Sequence, residues 1–253
     1  MRITALATTP LLPPQDDFFV RLDAALTHVP ERAVVVVSSK VVAIGEGRCV
    51  PIPDGVDVHA FKDAYIVREA DRYLPRAEGA PGGRFFTIKD GVLIGSAGID
   101  QSNGNGHLVL WPTNAMQSAH EIRARIMARF GLRELGVVVT DSTSTPLRNG
   151  ATGFALGYAG FRALFDYRGQ PDIFGRLIRV ERLNVADSLA TAATFAMGEG
   201  GECTPFALIE DVPHIVFAET EASDPHLALT VPLADDIFAP FFEHIPWKEG
   251  GGE

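Results

Sequence analysis

Gly131-Leu132-Arg133-Glu134-Leu135-Gly136-Val137-Val138-Val139-Thr140-Asp141-Ser142 is the stretch on which the fold turns. Upstream of it, Asn114 to Phe130 places Met116, Ala119, Ile122, Ile126 and Phe130 at helical spacing on one face. Asn114 is positioned to cap that helix and Gln117 to reach back to the cap, while Gly131 stops it. The valine run from Gly136 to Thr140 then predicts a buried strand whose C-terminal end presents Asp141 and Ser142.

The same grammar extends outward. Ala33 to Val37 reads as a second buried strand, ended by Ser38-Ser39-Lys40, and Val41 to Ile44 as a short further strand broken by Gly45-Glu46-Gly47. Phe85–Ile88 and Val92–Ile94 flank Lys89-Asp90-Gly91, whose Asp-Gly pair predicts a hairpin leading into Ala97-Gly98-Ile99-Asp100. The Ser-, Thr- and Gly-rich segment from Ser142 to Gly157 reads as an ordered loop. A second helix, capped by Asn184, runs to about Met197 with small residues on its packing face, and Phe206 to Ile209 forms another buried strand. Beyond Pro232, Ile237, Phe238, Phe241, Phe242 and Trp247 require a surface to dock on, a second subunit being one candidate, and Lys248 to Glu253 reads as a frayed polar tail. Strands and helices alternate irregularly, which favours an α+β fold of mixed and antiparallel sheets over a doubly wound parallel one.

At 253 residues, with 46% apolar and 21% charged side chains, the chain can bury a full core. A net charge of −10 argues against a nucleic-acid surface, which needs clustered Lys and Arg. Two isolated cysteines, Cys49 and Cys203, and seven scattered histidines give no zinc or redox motif and fit a reducing cytoplasm. Neither a signal-peptide pattern nor a membrane-length apolar run is present.

The familiar phosphate-binding motifs are missing. There is no Walker loop and no Gly-x-Ser-x-Gly elbow; Gly104-Asn105-Gly106 begins a dinucleotide fingerprint, but Val109 stands where its third glycine falls. What remains is a set of oxygen-bearing loops. Asp100 and Asp141 lie at the ends of segments that could neighbour one another in a sheet, and carboxylates of this kind suit magnesium or manganese. Ser142 adds a hydroxyl, and Glu199 or Glu202 a further carboxylate. The alternative is that Asp100 and Asp141 cap turns. Lys40 could balance a phosphate or simply end a strand in solvent; Asn103 could meet a nucleotide or merely shape a turn. Arg148 and Arg168 suit carboxylate or phosphate recognition, although Asp166 and Arg168 could equally form an ion pair of their own.

Taken together, several short motifs resemble the coenzyme F-420 gamma-glutamyl ligase family: Ser39-Lys40-Val41-Val42 with Glu46-Gly47-Arg48, Ala97-Gly98-Ile99-Asp100 with Ser102-Asn103, and Thr140-Asp141-Ser142. Arg148-Asn149-Gly150, Ala159-Gly160, Asp166-Tyr167-Arg168-Gly169, Asp172 with Gly175, and Met197-Gly198-Glu199 follow in the family's order, so the resemblance spans about residues 9 to 210. It implies one gamma-glutamyl ligase-like region over 1–253, with two intertwined lobes (about 1–90 plus 200–253, and about 91–199) as a further division. It also implies a homodimeric acid–amino-acid ligase that uses GTP, with Mg2+ or Mn2+ and K+ as an additional candidate, to join L-glutamate to a small carboxylate acceptor. Carried over by position, Asp100 and Asp141 would hold one metal and Ser142 and Glu199 another, with Arg148 beside the chemistry. Thr9, Pro10, Leu11, Leu12, Ser39, Lys40, Asn103 and the loop from Met197 to Thr204, with Gly198, Glu199 and Glu202, would contact the nucleotide.

Two departures stand out. The family usually has a Ser-Lys pair where this chain has Ala43-Ile44. After Asp141 the family reads Thr-Phe-Gly-Arg-Pro-Trp-Arg, where this chain has Ser142-Thr143-Ser144-Thr145-Pro146-Leu147-Arg148. They mark a divergent branch, for which an F-420 precursor or a folate-like compound is the implied acceptor and a binding protein without ligase activity is the alternative.

Overall fold

Two valine strands, Val34–Ser38 and Gly136–Thr143, lie parallel at the middle of a five-stranded sheet. The computed structural model describes residues 1–75, 85–219 and 227–251. In chain order, β1 (Arg2–Leu6), α1 (Phe18–Ala25), β2 (Val34–Ser38), α2 (Ser39–Gly45) and β3 (Cys49–Pro51) lead into α3 (Val58–Glu69) and β4 (Arg72–Leu74). Then come β5 (Phe86–Lys89), β6 (Val92–Gly95), β7 (His107–Val109), α4 (Ala115–Phe130), β8 (Gly136–Thr143) and β9 (Thr152–Ala159). They are followed by β10 (Leu164–Asp166), β11 (Arg182–Asn184), α5 (Val185–Met197), β12 (Phe206–Glu210), α6 (Ala239–Phe242) and β13 (Lys248–Glu249).

The central sheet has the order β1-β12-β2-β8-β9, antiparallel except for β2 against β8. Alternation of side chains explains why its valines are continuous. Val35, Val37, Val137 and Val139 face a layer that includes Leu22, Ile122 and Ile126, whereas Val34, Val36 and Val138 face Leu189 and Ala193 of α5. Each such fully buried valine contributes about 1.5–3 kcal/mol of transfer free energy. A second sheet, β13-β4-β5-β6, contains the predicted Asp90-Gly91 hairpin, and β3 pairs with β7. The α+β expectation holds, as do both long helices: Asn114 and Asn184 accept from Gln117 N and Asp187 N, and Gly131 is left-handed.

Four expectations are corrected. Val41 to Ile44 is helical, because burying Val41, Val42, Ala43 and Ile44 against the core outweighs the strand preference of β-branched residues. The side chain of Gln117 bonds Glu121 instead of returning to the cap. The segment from Ser142 to Gly157 is mostly strand, with a loop only at 144–151; its glycines 153 and 157 serve close approach, since a Cβ there would strike Ala190 O and Ala115 O of the covering helices. The C-terminal tail is tied down through Lys248–Glu249 on β4 and by Gly250 N on Asp71 O at 2.9 Å; residues 252–253 of that segment lie outside the described residues.

Candidate active site

The carboxyl ends of β2 and β8 open onto a cavity of about 640 Å³, the place where open sheets receive ligands. Three segments close around it: the loop after β1, the Asp100–Asn103 turn, and the loop that joins α5 to β12. Thr8 N bonds Cys203 O at 2.9 Å and Ser38 N bonds Pro205 O at 2.9 Å, fixing the first and third against the sheet. Asn103 Nδ2 donates to Gly200 O at 3.0 Å, which spans the second and third.

Asp100 is held twice over. Its backbone exchanges hydrogen bonds with Val109 at 2.9 and 2.8 Å, and its Oδ1 accepts from Gln101 N and Ser102 N at 2.6 and 2.8 Å. The turn-capping role is therefore real. Its Oδ2 faces Lys40 Nζ at 2.6 Å. Burial pushes the Asp100 carboxyl up, but the Lys40 charge and the Ser102 donors outweigh it and hold the group below its ordinary value. Asp141 differs: its Oδ1 accepts from Ser142 N at 2.8 Å and its Oδ2 from Trp111 Nε1. Burial, with the Asp100 charge adding to it, raises the Asp141 carboxyl to about 6 against the pull of those two donors. Desolvation also raises Glu199, although the Ser142 hydroxyl bonds to it and Lys40 opposes the rise.

The structure thus gathers Asp100, Asp141, Ser142, Glu199, Lys40 and Asn103, along with Thr9, Pro10, Leu11, Leu12, Gly198 and Glu202, around one cavity. Asp100 and Asp141 do not come together as ends of neighbouring strands, because Asp100 sits on an isolated bridge outside the sheet that carries Asp141. Ser39 is buried and does not line the cavity; Arg148 is exposed on the loop after β8 and does not line it either. Arg168 is paired with Asp166 at 2.7 Å, away from the cleft. Sequence reasoning passed over Thr8, Thr194 and Trp111. A lone tryptophan beside Pro112 carries no motif, so only the burial of its single donor could have drawn notice.

The sequence model of the F420-0:Gamma-glutamyl ligase family matches residues 7–211. The chain belongs to this family. It is 35% identical to the Coenzyme F420:L-glutamate ligase of Methanocaldococcus jannaschii over 159 residues, 62% of this chain and 61% of that protein. It is 35% identical to the Methanococcus maripaludis protein of the same name over 125 residues, 49% of this chain and 50% of that one. A third relative of that name, from Methanopyrus kandleri, is 30% identical over 206 residues, 76% of this chain and 79% of that one. The chain thus spans under two thirds of the first of these proteins and half of the second. The span matched by the gamma-glutamyl ligase family covers every residue lining the cavity, from Thr8 to Pro205, and stops before α6 and β13.

The donor set also bears on a metal. Among the described residues no three His, Cys, Asp or Glu groups stand close enough to chelate an ion together. Magnesium does not require that, since it binds through one or two carboxylates and completes its shell with water and phosphate oxygens. Asp100 and Asp141, oxygen donors crowded so that one raises the other, together with the Ser142 hydroxyl and Glu199, fit such an ion. No helix among the described residues is long and apolar enough to cross a membrane.

Proposed function

We propose that this chain is a GTP-dependent ligase that joins the amine of L-glutamate to the carboxylate of a small acceptor. The observation that carries the reading is the convergence of Asp100, Asp141, Ser142, Glu199, Lys40 and Asn103 on one cavity at the strand ends. The names of the relatives supply the glutamate and point to a coenzyme F420-type acceptor; a folate-like acceptor is the other candidate of the same chemistry.

In this scheme an acceptor carboxylate oxygen attacks the γ-phosphorus, the bond to the GDP oxygen breaks, and an acyl phosphate forms. The glutamate amine then attacks the acyl carbon, phosphate leaves, and the nitrogen gives up its proton. Asp100 and Asp141 would hold one divalent cation and Ser142 and Glu199 a second. Such ions supply charge neutralisation for the transferring phosphoryl group. Lys40 orients the phosphates, and the loop from Met197 to Thr204 covers the nucleotide and keeps water from the acyl phosphate. K+ is a further candidate cofactor.

The assay mixes protein, GTP, magnesium or manganese, and L-glutamate with deazaflavin or folate acceptors, and follows phosphate and product mass. Release that needs both glutamate and one acceptor, with a product one glutamyl unit heavier, supports the ligase. Release without any acceptor would replace it with a phosphohydrolase.

A second reading, a nucleotide-binding homologue without ligation, is favoured by Ile44. That apolar side chain, 2% exposed, stands where the family carries a lysine, beside the cavity. Tight GTP binding with no release under any acceptor would select it. We also infer a homodimer, supported by Ile237 and Phe241, which are 85% and 75% exposed in the C-terminal segment. Light scattering at a monomer mass would refute it.

A further inference from the structure

Trp111 is 2% exposed, and a buried indole has one polar atom, Nε1–H, that needs an acceptor. Its acceptor is Asp141 Oδ2. The ring also presses on the Asp100 loop: Gly98 has φ +69°, and a Cβ there would collide with the same indole nitrogen. Val109, two residues before Trp111, exchanges both backbone hydrogen bonds with Asp100. Phe154, whose ring centroid lies 6.2 Å from that of Trp111, is the register partner of Asp141 across β8 and β9. Arg48 Nε fixes the backbone there by donating to the Trp111 carbonyl at 3.0 Å. One side chain therefore touches both carboxylate-bearing segments, which share no sheet.

We propose that Trp111 is the positioning residue that sets the orientation of Asp141 and its separation from Asp100, by donating Nε1–H to Asp141 and wedging its ring against Gly98. This rests on the reading of those carboxylates as holding a divalent cation. Trp111 acts through Asp141 and touches no reacting atom. Without that donor only the Ser142 amide, on Oδ1 at 2.8 Å, holds the carboxylate. Loss of such an outer hydrogen bond costs about 10–100-fold in metal affinity.

The test uses the full chain without nucleotide and manganese as the probe. Trp111→Phe keeps an aromatic ring and deletes the N–H. Its manganese dissociation constant should rise about 10–100-fold while the metal-free protein still unfolds in one cooperative transition. The second measurement needs no variant. The chain has two tryptophans, Trp111 and Trp247, and Trp247 Nε1 bonds Phe242 O at 3.3 Å away from the cavity. In 15N-indole spectra the Trp111 resonance should move as magnesium saturates the protein, and the Trp247 resonance should stay in place. Should Trp111→Phe fail to fold, the indole titration decides alone. A parent that binds manganese and a Trp111→Phe variant that binds it equally well would overturn the role of Trp111 only. A Trp111 resonance unmoved at saturation would do the same. A parent that binds neither ion would overturn the cation reading and this inference with it.

Discussion

Asp141 and Asp166 are both carboxylates carried on strands and embedded in recognisable motifs, yet their surroundings give them opposite characters. Asp166 is saturated by its own neighbour. Arg168 donates to it from N, Nε and Nη2 at 2.7 to 3.1 Å, and these bonds hold the carboxyl down at about 2. Asp141 receives only neutral donors, the Ser142 amide and the Trp111 indole, and burial drives it up to about 6. A fork-bound carboxylate has no capacity left for a substrate or an ion. A carboxylate desolvated beside a second one, at the edge of a cavity, is stabilised when a cation or a proton arrives. The same side-chain chemistry thus completes a hairpin in one place and leaves an open valence in the other.

The largest expected effect separates the two by substitution. Asp141→Asn should cut glutamate-dependent phosphate release by on the order of a thousandfold, the scale of losing a group that stabilises transition-state charge. Asp166→Asn, which breaks a largely solvent-screened pair, should leave turnover within about threefold. Equal losses would erase the distinction. Next in size is Lys40→Met. If Lys40 holds phosphate as proposed, one charge-assisted hydrogen bond is lost, and calorimetry should show GTP binding weakened about tenfold or more.

A smaller effect, but of sharper sign, lies in the pH dependence of the metal-free fold. Asp141, raised to about 6 from 3.8, keeps a proton that the unfolded chain has already lost. Between those values this group adds stability as pH falls, and that contribution disappears as pH rises through about 6. Asp166, lowered to about 2, works the other way: its contribution is present above its ordinary value and fades as pH falls toward 2. Urea melts of the two asparagine variants against the parent, from about pH 3 to about pH 8, should show slopes of opposite sign. Magnesium should also raise the melting temperature less at pH 5.5 than at 7.5, because a proton then competes for Asp141.

The strands and helices that carry the site were legible where one period ruled. The valine runs and the capped helices after Asn114 and Asn184 follow from local pattern alone. Sequence failed where tertiary contact reversed a local preference. Val41 and Val42 were drawn into α2 by the core, and Gly153 and Gly157 lie in a strand because helix backbones press on them. Within the site, Asp100, Asp141, Ser142 and Glu199 could be named from their residue types and order. Their meeting could not be read, since it depends on an isolated bridge and on an indole wedge rather than on strand adjacency. Arg148 and Ser39 carried the right chemistry in the right order, but a loop tip and a buried helix turn hold them off the cavity.

Glutamyl transfer is proposed for the cavity that Asp100 and Asp141 line. Its most direct test is mass spectrometry of acceptor incubated with GTP, magnesium and L-glutamate, run in parallel with the parent chain and Asp141→Asn. The parent should yield an acceptor one glutamyl unit heavier, with one phosphate released per product, and the variant none. Equal product from both proteins would contradict it.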